Sequence, residues 1–164
     1  MNPGTLLTPP GWDRLRQEHQ QCWERRHLVV DALSAAAAEG DRSENAEYIY
    51  RKKELRELDR RLRYLGRLID TAQVIRQAPA DCSKVRFAAH VHIQSDRGED
   101  RRFQLVSDYE ANPAKGLVNW RAPLARALIG KQVDDEVEVS LDTEQGMRVW
   151  TILAVDYSDP EHGS

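Results

Sequence analysis

Leu55, Leu58, Leu62, Leu65, Ile69 and Ala72 recur at spacings of three and four, and the residues between them are nearly all charged. This is the a/d pattern of a helix that packs along one narrow face against another helix. No proline falls between residues 11 and 78, and the glycines inside the helical patterns are Gly40 and Gly66. A weaker stripe comes first: Trp12, Leu15, His19 and Cys22, then Val30, Leu33 and Ala37, with helix-favouring alanines at 35–38. Helices of about 27 and about 30 residues would each extend roughly 40 Å. The pattern predicts an antiparallel coiled-coil hairpin. Gly40 would end its first helix, and Asp41 or Ser43 would cap the second, with Glu44 near the first turn.

Charge divides the chain. Residues 1–76 carry 14 Lys/Arg and 12 Asp/Glu, net +2, whereas residues 77–164 carry 10 and 15, net −5. The change falls near QAPADCS (77–83), a loop-like stretch with Pro79. Two domains are expected, a hairpin at 1–76 with an acidic tip at 40–47, and a second domain at 77–164. Within the hairpin, residues 51–67 hold eight cations (Arg51, Lys52, Lys53, Arg56, Arg60, Arg61, Arg63, Arg67) against three acids. A solvated helix face laced with i,i+4 pairs is one reading. An electrostatic track for a single nucleic-acid strand, with Tyr48 and Tyr50 offering stacking, is the other. The tip is equally open. Capping and the helix dipole use one or two acidic or amide side chains, whereas Asp41, Glu44, Asn45 and Glu47 crowd the same turn.

The second half alternates with a period of two. Val85, Phe87, Ala89, Val91 and Ile93 predict one half-buried strand, SDRGED (95–100) a turn, and RRFQLVS (101–107) its hairpin partner. LVNW (117–120), EVEVSL (136–141) and RVWTILAV (148–155) supply further strands, and PLARALIG (123–130) a short helix opened by Pro123 and stopped by Gly130. The fold class is α+β. His90 and His92 share a strand face without a third ligand at suitable spacing, and His19 with Cys22 reads as seam filler. No nucleophile–base constellation or phosphate-cradling glycine loop stands out, so a self-contained enzyme is not expected. Cys22 and Cys82 read as free thiols of a cytoplasmic protein. No segment approaches the roughly 20 apolar residues of a membrane span, and the N-terminus lacks the marks of an export signal.

GDRSENAEYIYRKKELRELDRRLRYLGRLID (40–70), PLARALIGKQVDDEVEV (123–139) and LLTPPGWDRLRQE near the start together resemble the Gre transcript-cleavage factors of bacterial RNA polymerase. The extended basic stretch is nearer the GreB type than the GreA type. The resemblance implies an N-terminal antiparallel coiled coil and a C-terminal FKBP-like domain. It implies that the second domain docks at the rim of the polymerase secondary channel while the coiled coil enters the channel. An apolar surface around Pro123 and a partly exposed Leu124 is the expected contact, the alternative being that both residues close the domain's own core. Asp41 and Glu44 would then be the catalytic carboxylates, holding a Mg²⁺ jointly with the polymerase. Ser43, Asn45 and Tyr48 would support the tip, and the cations from Arg51 to Arg67 would guide the 3′ end of the nascent RNA. The factor would act as a monomer, away from membranes, and not as an enzyme itself. A second reading keeps the same hairpin as a non-cleaving regulator of the channel. The sequence departs from the family where Ala122 replaces a Ser before the Pro of the PLARAL motif, where Asp134 replaces a Gly, where FAAHV (87–91) replaces a more usual Gly-containing strand, and at a glycine position in SDYE (107–110).

Overall fold

The computed structural model describes residues 4–39, 45–140 and 146–158. The chain forms two compact units, one from Trp12–Ala72 and the other from Thr5–Gly11 together with Gln73 onward. The division drawn from charge at 76/77 leaves Thr5–Gly11 with the hairpin, whereas the structure groups them with the sheet. The reason is local. Ile75 N–H donates to Leu7 O at 2.9 Å, and Leu7 is fully buried.

The helical unit is built from α1 (Pro9–Ala38) and α2 (Ala46–Thr71). Ion pairs of Arg25 with Glu54, Arg26 with Asp59 and Glu18 with Arg61 run in opposite directions along the two helices, so the pair is antiparallel. Leu62 and Leu65 are buried on α2, and Leu15, Val29 and Ala36 on α1. The anticipated stripe on α1 is therefore corrected: Val29 and Ala36 enter the seam more deeply than Val30 and Ala37. Arg26 explains the error, because a charged residue stands in the seam line between Cys22 and Val29 and hides the repeat. It remains there by pairing with Asp59 at 2.7 Å.

In the sheet unit, β1 (Thr5–Leu7) pairs with β2 (Ala72–Val74). The main sheet comprises β3 (His90–Ser95), β4 (Asp100–Val106), β5 (Leu117–Asn119), β6 (Glu136–Val139) and β7 (Arg148–Asp156), in the order β5-β4-β3-β7-β6. Neighbours are antiparallel except β4 and β5, which are parallel. Val91 and Ile93, Val137 and Val139, and Trp150 and Ile152 alternate onto one face. There the short helix α3 (Pro123–Leu128) covers them with Leu124, Ala125 and Leu128. A bulge between His92 and Ile93 sets one extra β7 residue, Leu153, between Ile152 and Ala154, and Leu153 turns outward.

The strand expected from residue 85 begins only at His90. Val85 is tied to the loop after α3, donating to Lys131 O and accepting from Gly130 N, both at 2.8 Å. Ala88 then takes a left-handed conformation with φ of 72° and closes a turn from Arg86 to Ala89. Val85, Phe87 and Ala89 are nevertheless all buried, which is why the period of two continues through a segment that is not a strand.

A buried carboxylate secures the start of α1. Thr8 caps the helix by accepting from Gly11 N–H at 3.3 Å, ahead of prolines at the first two helical positions. Its backbone N–H (3.2 Å) and its hydroxyl both donate to Glu110, which also accepts from Ser107 Oγ at 2.8 Å and Ser107 N at 3.3 Å. A Cβ on Gly11 would overlap that carboxylate.

Two of the departures from the family pattern, at Asp134 and Ala122, have structural counterparts. Asp134 adopts a φ of 75°, a region that glycine enters freely and Asp tolerates better than most residues. Ala122 is the N-cap of α3 and makes no side-chain cap bond, where a Ser hydroxyl would accept from the first turn. Ala122→Ser should therefore raise the stability of the protein by about 0.5–1 kcal/mol, read as a higher urea midpoint at unchanged slope.

Candidate functional site

The tip of the hairpin is closed by Asn45. Its Oδ1 accepts from Tyr48 N–H at 3.2 Å, which makes it the N-cap of α2, and its Nδ2 donates across the turn to Ala36 O at 3.0 Å. One side chain thus satisfies an open donor of α2 and adds a second donor to the Ala36 carbonyl of α1, which also accepts from Glu39 N–H at 3.2 Å. This corrects the expected cap: the role given to Asp41 or Ser43 falls to Asn45. Glu47 in the first turn of α2 adds the favourable charge. Asp41, Ser43 and Glu44 lie outside the described residues. Tyr48 is half-buried, with the Lys52 ammonium 5.8 Å from its ring.

Seven of the eight cations of residues 51–67 divide into two sets. Arg51 is held by Glu47 at 2.9 Å and Glu54 at 3.0 Å, and Arg61 by Glu18 at 2.6 Å. Arg61 also lies over the Tyr64 ring at 5.1 Å. These two work inside the hairpin. Glu54 is drawn below the usual carboxylate value, first by the hydrogen bond from Arg25 and further by that from Arg51. The second set is Lys53, Arg56, Arg60, Arg63 and Arg67, at spacings of three and four, all exposed and none in an ion pair among the described residues. On a helix of 3.6 residues per turn these five form one stripe, half a turn away from Leu58, Leu62 and Leu65. Lys52 borders the stripe near the tip. Such a row of uncompensated charge attracts a polyanion by releasing its counterions.

In the sheet unit, the two expected docking residues separate. Pro123 is exposed at the first position of α3, whereas Leu124 is 7 % exposed and packs into the core. Leu124 is thus not available as a surface anchor, because the first turn of α3 rotates it onto the sheet. Beside this corner is a recess of about 320 Å³, walled by Leu6, Ile75, Pro79, Phe87, Trp120 and Ile129, with Gln77 and Arg86 as its polar groups. Trp120 meets Phe87 edge-on at 5.8 Å, and the Arg121 guanidinium covers the Trp120 ring at 5.1 Å. Sequence patterning missed this recess, since its walls come from five separate stretches of chain. Trp120, a large aromatic directly before Arg121 and Ala122, was the available signal.

His90 and His92 lie on the strand face away from the core, and His92 Nε2 meets Asp100 Oδ1 at 2.8 Å. Among the described residues no group of three or more His, Cys, Asp or Glu is placed to hold a metal, and no helix is long and apolar enough to cross a membrane. Leu124→Ala should lower unfolding free energy by about 2–5 kcal/mol, the cost of a cavity in a packed core. Chemical denaturation would show this, and a change below about 1 kcal/mol would mean that the site is not core.

Known proteins bear on both units. The family described as transcription elongation factor, N-terminal, matches residues 5–74, and the GreA/GreB C-terminal family matches residues 79–157. Transcription elongation factor GreB of Xanthomonas axonopodis pv. citri is 45 % identical over 155 residues, 93 % of this chain and 91 % of its own. The GreB of Yersinia pestis is 45 % identical over 158 residues, covering 96 % and 91 %. A solved structure of GreA factor homolog 1 from Thermus thermophilus aligns over 93 % of this chain and 99 % of its own, with a TM-score of 0.44 and 22 % identity. The family matches together span most of the sequence, and the chain belongs to the GreA/GreB family of transcription elongation factors and is of the GreB type.

Proposed function

We propose that this protein binds RNA polymerase, inserts its helical hairpin into the secondary channel and stimulates the polymerase's own cleavage of backtracked RNA. The observation that carries the reading is the stripe Lys53–Arg56–Arg60–Arg63–Arg67, five cations with no carboxylate partner among the described residues, on the helix that starts at the tip. Phosphates of an extruded 3′ strand neutralise that stripe, and the strand is led toward the turn in which Asp41 and Glu44 stand in the sequence.

Two carboxylates suit Mg²⁺, which accepts one or two such ligands and keeps waters and phosphate oxygens as the rest. Asp41 and Glu44 would hold it together with ligands from the polymerase. When bound, the ion would activate a water and stabilise the attacking and leaving oxygens of an in-line displacement. The chain itself then supplies carboxylates and a guide, and the polymerase supplies the remaining active site, so the factor is a cofactor of cleavage and not the nuclease. Asn45 and Tyr48 shape the start of α2, and Ser43 would support the tip beside them. Docking belongs to the sheet unit, through exposed Pro123 and the apolar recess beside Trp120; Leu124 supports that corner from beneath. The net charge of −5 over residues 77–164 argues against a nucleic-acid contact there. We place the factor in the cytoplasm, as a monomer.

The decisive experiment is cleavage of a stalled, backtracked elongation complex with Mg²⁺. Asp41→Asn or Glu44→Gln should lower the stimulated rate by more than the roughly 10–100-fold that loss of an outer-shell partner costs at a metal site. Polymerase binding should be unchanged in both. Cleavage at the wild-type rate by either variant would refute the metal-holding role. Joint replacement of Arg56, Arg60 and Arg63 by Gln should slow cleavage of deeply backtracked complexes more than shallow ones, because a longer extruded strand reaches more of the stripe. Equal slowing of both would assign these arginines to solubility alone.

A further inference from the structure

The two flanks of the helical unit differ in chemistry. On one, Arg25, Arg51 and Arg61 are matched by Glu47, Glu54 and Glu18, and charge cancels. On the other, Arg26 meets Asp59 at 2.7 Å. Arg56 and Arg63 lie one turn to either side of Asp59 on α2, so this flank borders the unpaired stripe. On α1, one turn before Arg26, stands Trp23. Its ring has the Arg26 guanidinium 5.7 Å away, His19 edge-on at 6.3 Å and His27 at 6.3 Å. Three rings therefore follow one another at successive turns, over about 12 Å of helix. Trp23 remains 41 % exposed, and the seam is filled without it by Leu15, Val29 and Ala36.

A large exposed indole flanked by two imidazoles and bordered by cations has the two parts of a single-strand binding surface, charge for the backbone and ring faces for the bases. We propose that His19, Trp23 and His27 form a base-stacking platform on α1 for the single RNA strand whose phosphates lie on the stripe of α2. This rests on the reading that the hairpin guides extruded RNA, and adds to it a second helix and a contact to the bases. An acidic peptide would be held by the cations alone and would have no use for a parallel row of rings.

The test uses the full-length protein and a fluorescent single-stranded RNA of about 12 nucleotides, beside an abasic strand of equal length, in a salt series. Trp23→Leu should weaken RNA binding about tenfold, leave abasic binding unchanged and keep the salt slope. Trp23→Tyr should restore most of the affinity. Arg56→Gln with Arg63→Gln should weaken both strands and reduce the slope of log affinity against log salt by about 1.4. Circular dichroism checks the helix content of each variant. If Trp23→Leu loses helix, tryptophan emission of the unaltered protein decides: it should be quenched by RNA and not by the abasic strand. Unchanged RNA affinity in a folded Trp23→Leu, equal loss on both strands, or no difference in quenching would each overturn the platform. Neither polymerase nor the Asp41–Glu44 pair enters these measurements, so a failure of the cleavage reading leaves the result standing.

Discussion

Two helices packed side by side share one dry seam, and everything else on their surface faces water. That constraint governs the helical unit. Leu15, Val29, Ala36, Leu62 and Leu65 are its buried apolar residues, while Leu55, Leu58 and Ile69 are only partly covered. Hydrophobic burial this thin leaves register to be set by other means. The ion pairs between the helices supply it, together with the bond from Asn45 across the turn to Ala36. Each exposed pair contributes little, about 0–1 kcal/mol, but a slipped register would break all of them together.

The same constraint leaves most of the helical surface free to carry function. A core element could not show five unpaired cations on one face without a desolvation cost. Here that face never enters a core, so its charge costs the fold only mutual repulsion weakened by solvent and salt. The sheet unit works the other way. Its helix α3 and five strands enclose a continuous core around Trp150, with an exposed Pro123 and an apolar recess beside Trp120 at one corner.

Much of this was legible in the sequence, for reasons that also mark where legibility ended. The Leu55–Ala72 repeat announced α2 because heptad spacing has one structural solution, and the strands at 136–139 and 148–156 announced themselves by alternation. Alternation misled at residues 85–89, where burial follows a period of two through a turn that needs Ala88 at positive φ. The seam on α1 was misplaced by one residue because Arg26 occupies a seam position, and pairing of a charge with Asp59 leaves no local trace. Of the two roles open to Leu124, partly exposed anchor or core residue, helical rotation selects the second by turning it inward. The metal-holding role proposed for Asp41 and Glu44 came from likeness to a family, since a carboxylate beside a helix start also suits capping, whereas the excess of cations over residues 51–67 stood in the sequence itself. Trp23 could not be singled out from spacing alone, because it lies off the apolar repeat and spacing does not show that His19, Arg26 and His27 gather around its ring.

Glu110 carries a consequence for the order in which the chain assembles. Thr5–Gly11 leaves the ribosome ahead of the hairpin, yet its place is beside a residue about a hundred positions later. The hairpin between them contains mainly local contacts and forms quickly by comparison with a sheet of distant partners. Synthesis therefore yields a finished pair of helices whose first turn still lacks its carboxylate partner. The sheet unit closes only when Glu110 arrives and takes up the amide and hydroxyl of Thr8. A fragment beginning at residue 77 would bring the same carboxylate into a core from which two of its donors are missing. The sheet unit is thus a discontinuous folding unit, with the helical hairpin as an insertion between its first strand and the rest.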